Sequence, residues 1–387
     1  MIKNNIWKFY AITALGIRFI APIRIIYLIS YGLTFAQIGM MELAAAIVIV
    51  FLEIPSGVFA DIVGRKKSRL IAYSLSIIAF SCLSFGSTLP IFIFGWALSG
   101  AADAFESGAQ DALIFDTLKQ LNKENDYLKI KSHFILINTI SVIVGSLVGS
   151  YLYAIDHRLP WYLITATIII STLIFTTIKE PAFISKYSNL KSHLKDFYKS
   201  LKVSLSNSEV RRLILFSLFL SLPMYVFTTL LNQPYLIDHG FTIQSLGFIF
   251  ALITGISGIL ASLSHKIEPL LKQRLSFALI IFSFTFLLIS MGLVHNTSIV
   301  LILVIIFYIV DNFKNVIIDN YLNQNINSES RATVLSVKSF VNNIFISLLF
   351  VFIGHLVDIF SINVVLISMG ISIGLLCFPL WLFDKPK

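Results

Sequence analysis

Charged side chains set inside otherwise apolar runs are the residues of this chain that promise chemistry. Arg18 and Arg24 fall in the first such run, Asp103, Glu106 and Asp111 in another, and Asp311, Lys314 and Asp319 in a third. A charge in hydrocarbon is costly unless it is paired or wetted, so clusters of this kind mark a polar pathway. At about 100° per residue, Asp103, Glu106 and Gln110 share one helix stripe. Two carboxylates three residues apart repel, which favours holding a proton on one of them. Three readings of the stripe stand side by side: proton coupling, ion pairing with Arg18 or Arg24, and direct contact with a substrate. Asp311 and Lys314 are spaced i, i+3 and partly neutralise each other. Gln233, with Asn232, Tyr225 and Tyr235, adds polar groups without charge. Glu42 fits either a cavity mouth or a position snorkelling away from one.

These residues need elements that cross a bilayer. Charged residues are 13% of the 387 and hydrophobic ones 57%, whereas soluble domains carry about 25% charge. Apolar runs of about 18 or more residues recur, each long enough for a core of roughly 30 Å. The chain is therefore expected to be an all-α polytopic membrane protein of twelve transmembrane helices. The expected centres lie near Thr13, Ile47, Ser76, Ala102, Val144, Ile168, Met224, Thr254, Phe284, Phe307, Leu349 and Gly370. With the N-terminus inside, all but four of the 29 Lys and Arg fall in inside loops or tails; the exceptions are Arg158 outside and Arg18, Arg24 and Lys314 within spans. That is the positive-inside bias, so the net charge of +9 reports orientation and gives no ground for a nucleic-acid partner. Cys82 and Cys377 sit in apolar spans without metal or disulfide spacing, and the 7 histidines share no ligand pattern. No metal and no cofactor is expected.

Two bundles of six helices are expected, at 1–178 and 213–387, with both termini cytoplasmic. Between them, 179–212 is polar and basic. Within it Leu190, Leu194, Phe197, Leu201 and Leu205 alternate with Lys191, Lys195, Lys199 and Lys202, the pattern of an amphipathic helix on a membrane surface. GVFAD at 57–61 is weakly echoed by GILAS at 258–262, as in transporters built from internal repeats.

The stretch EIPSGVFADIVGRKKSRL at 53–70 interrupts two apolar runs. Gly57 and Gly64 suit a tight turn between close helices, and the cations from Arg65 to Arg69 suit an inside-facing loop. Asp61 is left unexplained. The pattern Gly57-x-x-x-Asp61-x-x-Gly64-Arg65 resembles the loop between spans two and three of the major facilitator superfamily, and the span count and basic linker agree along the whole chain. ESGAQDALIFDTL at 106–118 and NQNINSESRATVLSVKSF at 323–340 resemble a bacterial, efflux-type branch of that family.

The resemblance implies alternating access, a cavity lined by spans one, four, seven and ten, and a conformational latch. In that latch Asp61 meets the inner end of span eleven and Arg65 pairs with Asp116. It implies a transporter and not an enzyme, placed in the bacterial cytoplasmic membrane. The expected carrier acts as a monomer on a small-molecule substrate, with a proton gradient as energy source. The first reading is proton-coupled efflux of amphipathic small molecules or drugs. Two departures keep import or facilitation of a metabolite open: VGSLVGSYL at 144–152 lacks the Gly-Pro pair of the antiporter branches, and GWALSGAADAFESG at 95–108 carries acids where those branches favour an arginine. Gly145 and Gly149 are spaced for close helix packing. A third reading, a non-transporting membrane enzyme or sensor, finds no Ser-His set, phosphate loop or soluble domain to support it.

Overall fold

The computed structural model describes residues 2–181, 208–261, 264–324, 326 and 331–382. The amphipathic helix expected across Leu190–Leu205 lies outside the described residues. The described helices are α1 (Asn5–Leu15), α2 (Arg24–Ser30), α3 (Phe35–Val63), α4 (Arg65–Phe85), α5 (Leu89–Glu106), α6 (Ala109–Gln120), α7 (Tyr127–Ile155) and α8 (Leu159–Thr176). They continue as α9 (Ser208–Val226), α10 (Asn232–Asp238), α11 (Ile243–Ala261), α12 (Ser264–Leu293), α13 (Thr297–Gln324), α14 (Arg331–Ile359) and α15 (Ile362–Leu382). Among the described residues, 9 helical stretches are long and apolar enough to cross a membrane. Large apolar side chains face outward from them: Phe51 and Ile155 are each 74% exposed and Leu375 is 70% exposed. A surface of that kind is solvated by lipid, and only helices satisfy their backbone groups there.

The chain divides into two compact units. One comprises Met1–Gly32, Met40–Asp196 and Ile243–Ala251; the other comprises Leu33–Gly39, Phe197–Thr242 and Leu252–Lys387. The first turn of α3 thus belongs with the second unit and the first half of α11 with the first.

In the first unit, the run expected as a continuous first span is broken. α1 stops at Leu15, residues 16–23 form coil and turns, and α2 begins at Arg24. Gly16 and Pro22 bracket the break, and Pro22 brings no N–H to continue a helix. α7 closes on the broken segment through small residues. A Cβ on Gly145 would stand 2.8 Å from the Arg18 backbone nitrogen, and one on Gly149 would collide with the Phe19 carbonyl. The close packing expected of both glycines is therefore present, with backbone as the partner. Phe9, Ile12, Tyr73, Leu113, Phe134 and Phe175 form the buried core at this end of the unit.

The span carrying the acidic stripe is broken as well. α5 ends at Glu106 and α6 begins at Ala109, with Gly108 at φ 71° in the left-handed region between them. Ending a helix orphans its last carbonyls. Here Ser56 Oγ donates to the Ala104 carbonyl and Ser68 Oγ to the Phe105 carbonyl, each at 2.8 Å.

In the second unit, a π-helical turn at Phe227–Leu231 joins α9 to α10. Pro234 lies four residues after Leu230 and would clash with its carbonyl in an unbroken α-helix, which the wider turn relieves. Phe216 and Phe277 stack at 4.9 Å, and Phe227 and Phe284 pack edge-on against Phe307.

Candidate transport site

The break between α1 and α2, the first turns of α4 and the end of α5 surround a cavity of about 350 Å³ within the first unit. Arg18 reaches it from the break, Arg69 and Tyr73 from α4, Asp103 and Glu106 from α5, and Gln110 from α6. The stripe expected on one helix therefore does converge on a cavity, although Gly108 separates Gln110 from the two acids.

Arg69 organises this cavity. It is only 6% exposed. Its guanidinium forms an ion pair with the Glu106 carboxylate, donates from Nη2 to Gln110 Oε1 at 2.9 Å and lies 4.6 Å over the Tyr73 ring. Its Nε is buried without a hydrogen-bond partner among the described residues. Sequence reasoning placed Arg69 with the loop cations; the structure places it one helical turn farther in than Arg65. A signal was present, because Arg69, Tyr73, Ser76 and Phe80 recur at steps of four and three along one face of α4.

Asp103 experiences attraction from Arg69 and Arg18 and repulsion from Glu42. Neither Asp103 nor Arg18 closes an ion pair within 4.0 Å among the described residues. Arg24, one of the two arginines weighed as partners for the stripe, meets Glu42: its Nη1 lies 2.6 Å from Glu42 Oε1 and its guanidinium 4.8 Å over the Trp96 ring. Asp111 does not join the cavity. It follows the Gly108 break, is half-exposed, and pairs with Lys131 of α7.

The second unit holds its own charge pair. Lys314, 1% exposed, contacts Asp311 Oδ1 at 2.5 Å and donates to Ser221 Oγ and the Leu220 carbonyl. Asn315 donates to the other Asp311 oxygen at 3.1 Å. The i, i+3 neutralisation read from the sequence is what forms, sealed by carbonyl and hydroxyl acceptors, and each Asp311 carboxylate oxygen has a donor. Gln233 is buried on α10, where its neighbour Asn232 donates to the Tyr308 hydroxyl at 3.1 Å. Asp319 meets Lys338 at 2.6 Å.

At the turn joining α3 to α4, Arg65 and Asp116 are ion-paired as the latch pattern implies. Gly64, at φ 122°, sits where a Cβ would stand 2.6 Å from Glu180 Oε1, and that same oxygen accepts the Lys66 N–H at 3.0 Å. Glu180 thus caps α4, a role the sequence did not suggest. Nothing among the described residues comes within 4 Å of the Cβ position of Gly57. Asp61 lies on the last turn of α3, and its expected neighbour, the chain entering span eleven at 327–330, lies outside the described residues.

Apolar-surfaced helices around buried charge clusters and a polar cavity define a membrane carrier. The family model described as Major Facilitator Superfamily matches residues 6–337, and the chain belongs to that superfamily. It is a transporter and not an enzyme. Among curated relatives, the MFS-type transporter YxaM of Bacillus subtilis (strain 168) is 28% identical over 274 residues, covering 69% of this chain and 67% of the relative. Multidrug resistance protein 2 of the same organism is 30% identical over 199 residues, 49% of this chain and 48% of that one. Among solved structures, the nucleoside transporter NupG superposes with a TM-score of 0.83 at 14% identity, over 99% of this chain and 100% of the other.

Proposed function

We propose that the chain is a proton-coupled secondary transporter working by alternating access, with twelve spans and both termini on the cytoplasmic side of a bacterial cytoplasmic membrane. It exports amphipathic small molecules and acts as a monomer. The observation that carries this reading is the charge cluster around the first unit's cavity, where Asp103 faces Arg18 and Arg69 without a closed ion pair. A proton arriving at Asp103 removes a charge that attracts both guanidiniums and changes the cavity's net charge by one. A ligand shifts a two-state equilibrium only by its differential affinity, and that change of charge supplies such a difference. Glu106 passes the change to α4 through Arg69, while Arg65 with Asp116, and Gly57, Asp61 and Gly64 beside them, form the latch that holds one state. Export is supported by the relative named for multidrug resistance.

A second reading, uptake of a polar metabolite, draws on one observation: the lining is charge-balanced, not anionic as the acidic stripe alone would make it. The test is accumulation of fluorescent amphipathic cations in efflux-deficient cells carrying wild type, Asp103→Asn or empty vector, with and without a protonophore. Export predicts lower accumulation that depends on both the gradient and Asp103. Unchanged accumulation of every dye, with the protein present in the membrane, overturns export and favours uptake.

A further inference from the structure

We propose that the groove between α12 and α15 of the second unit holds one acyl chain of an anionic phospholipid, whose phosphate is bound by Arg274. The site depends on neither cargo nor direction of transport, and takes from the proposed topology only that the start of α12 faces the cytoplasm.

The groove exists because two close helices part. At one end they touch through glycine: a Cβ on Gly292 would stand 2.6 Å from the Asn363 carbonyl oxygen, and one on Gly370 would stand 3.1 Å from that of Thr285. One turn farther along α15, a Cβ on Gly374 would meet only the Thr285 side chain, at 3.4 Å, which is ordinary contact. From there toward Trp381 a trough of about 570 Å³ separates the helices, walled by Ala278, Ile281, Phe282, Leu375 and Phe378. Beyond it they meet again, where Trp381 Nε1 donates to the Arg274 carbonyl at 2.9 Å.

Length and polarity point to the tail of a lipid. Arg274 and Thr285 stand 11 residues apart on α12. That is a rise of about 16 Å, or one leaflet of a hydrocarbon core of roughly 30 Å. Phe282, Leu375 and Phe378 are each more than half exposed, so the trough opens sideways onto the apolar exterior. An acyl chain of the adjoining leaflet reaches it without leaving the membrane.

Charge points to the head. Arg274 is exposed at the end of the trough, with its guanidinium 5.1 Å over the Trp381 ring. No carboxylate closes on it within 4.0 Å among the described residues. Tryptophan favours the level of the headgroups, and here it holds the guanidinium at that level. Stacking on a ring fixes the plane of an arginine and leaves its N–H fork for phosphate oxygens. Lys266 and Lys272 precede Arg274 in the sequence, and the cytoplasmic leaflet is the one that carries anionic lipid. A neutral lipid would fill the trough and bring its own cation beside the guanidinium; an anionic one brings the phosphate alone.

The experiment is native mass spectrometry of the full-length protein purified in neutral detergent. The probes are phosphatidylglycerol and phosphatidylcholine with the same chains, and glycerol 3-phosphate as a headgroup without tails. Wild type should retain phosphatidylglycerol about fivefold better than phosphatidylcholine, the effect of one basic residue at an anionic surface. It should not retain glycerol 3-phosphate. Arg274→Gln, at an exposed position, should bring phosphatidylglycerol down to the phosphatidylcholine level. Gly374→Leu fills the trough without touching the charge and should do the same. If that variant does not fold, the fluorescence that Trp381→Phe removes serves instead: phosphatidylglycerol with brominated chains should quench it more than brominated phosphatidylcholine does. Equal retention of the two lipids by wild type, a preference that survives Arg274→Gln or a folded Gly374→Leu, or equal quenching overturns the proposal. Glycerol 3-phosphate that displaces the lipid would make this a site for free phosphate. A lipid-free dimer that Gly374→Leu dissolves would show a second copy covering the groove. Either result also overturns the lipid site.

Discussion

Arg69 and Glu106 form an ion pair inside the first unit, joining a residue from the cationic turn at 65–69 to the acidic stripe of α5. The arginine side chain is nearly enclosed, whereas the glutamate side chain is 45% exposed. Their stakes are therefore unequal. Removing Glu106 leaves a buried guanidinium without its counter-ion; removing Arg69 leaves a carboxylate that water can reach.

From that asymmetry, Glu106→Gln should destabilise by about 2–4 kcal/mol and Arg69→Gln by less, since an orphaned charge costs more the deeper it lies. Coupling in the double variant should be favourable and near 1–2 kcal/mol. Reversible unfolding of the purified protein in mixed micelles gives all three values. Equal losses in the two single variants, with no coupling, would show that the pair does not hold α4 to α5.

Glycines along α3 and α7 should separate packing from motion. Gly145→Ala sets a methyl 2.8 Å from the Arg18 backbone nitrogen, which no rotamer can relieve, so a loss of about 1–3 kcal/mol is expected. The same change deforms the break that carries Arg18 into the cavity, and ligand binding should fall with stability. Gly57→Ala meets nothing within 4 Å among the described residues and removes a helix-interior glycine, giving a gain of up to about 1 kcal/mol. If Gly57 serves the latch, transport by that variant drops while its unfolding midpoint rises. An unchanged transport rate would assign Gly57 no part in the latch.

What the sequence made legible followed from periodicity and charge, which are local. The apolar runs located the helices, and the spacing of Asp103, Glu106 and Gln110 grouped three side chains that line the first unit's cavity. Partners across helices were not legible. Arg24 meets Glu42 because α2 and α3 fold back through the turn at Tyr31–Gly32, and no spacing rule encodes that geometry. Asp111 falls outside the stripe by spacing, but the left-handed turn at Gly108 and its pairing with Lys131 were not legible. Arg69 was hidden by its neighbours: three cations just before it read as one loop cluster, although its register on α4 matches Tyr73 and not Lys66.

Asp358 offers a test at the start of α3. Its two carboxylate oxygens accept the Phe35 and Ala36 N–H groups at 2.8 and 2.9 Å, capping a helix more than three hundred residues earlier in the chain. Asp358→Ala should cost about 1 kcal/mol. It should also raise amide exchange in the first turn of α3, while Asp358→Asn retains one acceptor and falls between. Exchange unchanged at Phe35 and Ala36 in the alanine variant would mean that another group caps this helix.

In the second unit, Lys314→Met leaves Asp311 buried with only Asn315 to satisfy it, and about 3–5 kcal/mol should be lost. Adding Asp311→Asn removes the stranded charge and should recover most of that loss, because a buried pair replaced by neutral groups is often tolerated. Transport discriminates between roles. A pair that only packs would leave the recovered double variant active, whereas a pair that binds cargo or a proton would leave it folded and inactive.

The pair Arg65–Asp116 distinguishes a latch from a strut. Both side chains are mostly enclosed, so Arg65→Asp places two carboxylates in contact and should lower both stability and transport. Exchanging the partners, with Arg65→Asp and Asp116→Arg together, restores the attraction and should recover stability. A strut needs nothing more, and transport would return in full. A latch also needs Arg65 to follow Gly64 and the Glu180-capped start of α4, where a carboxylate would stand beside that of Glu180. In that case the exchanged protein regains its unfolding midpoint while transport stays well below wild type, and Glu180→Gln in the exchanged background should raise transport again by removing the repulsion. Full activity in the exchanged protein, measured as initial rate in proteoliposomes, would reduce the turn to a structural brace.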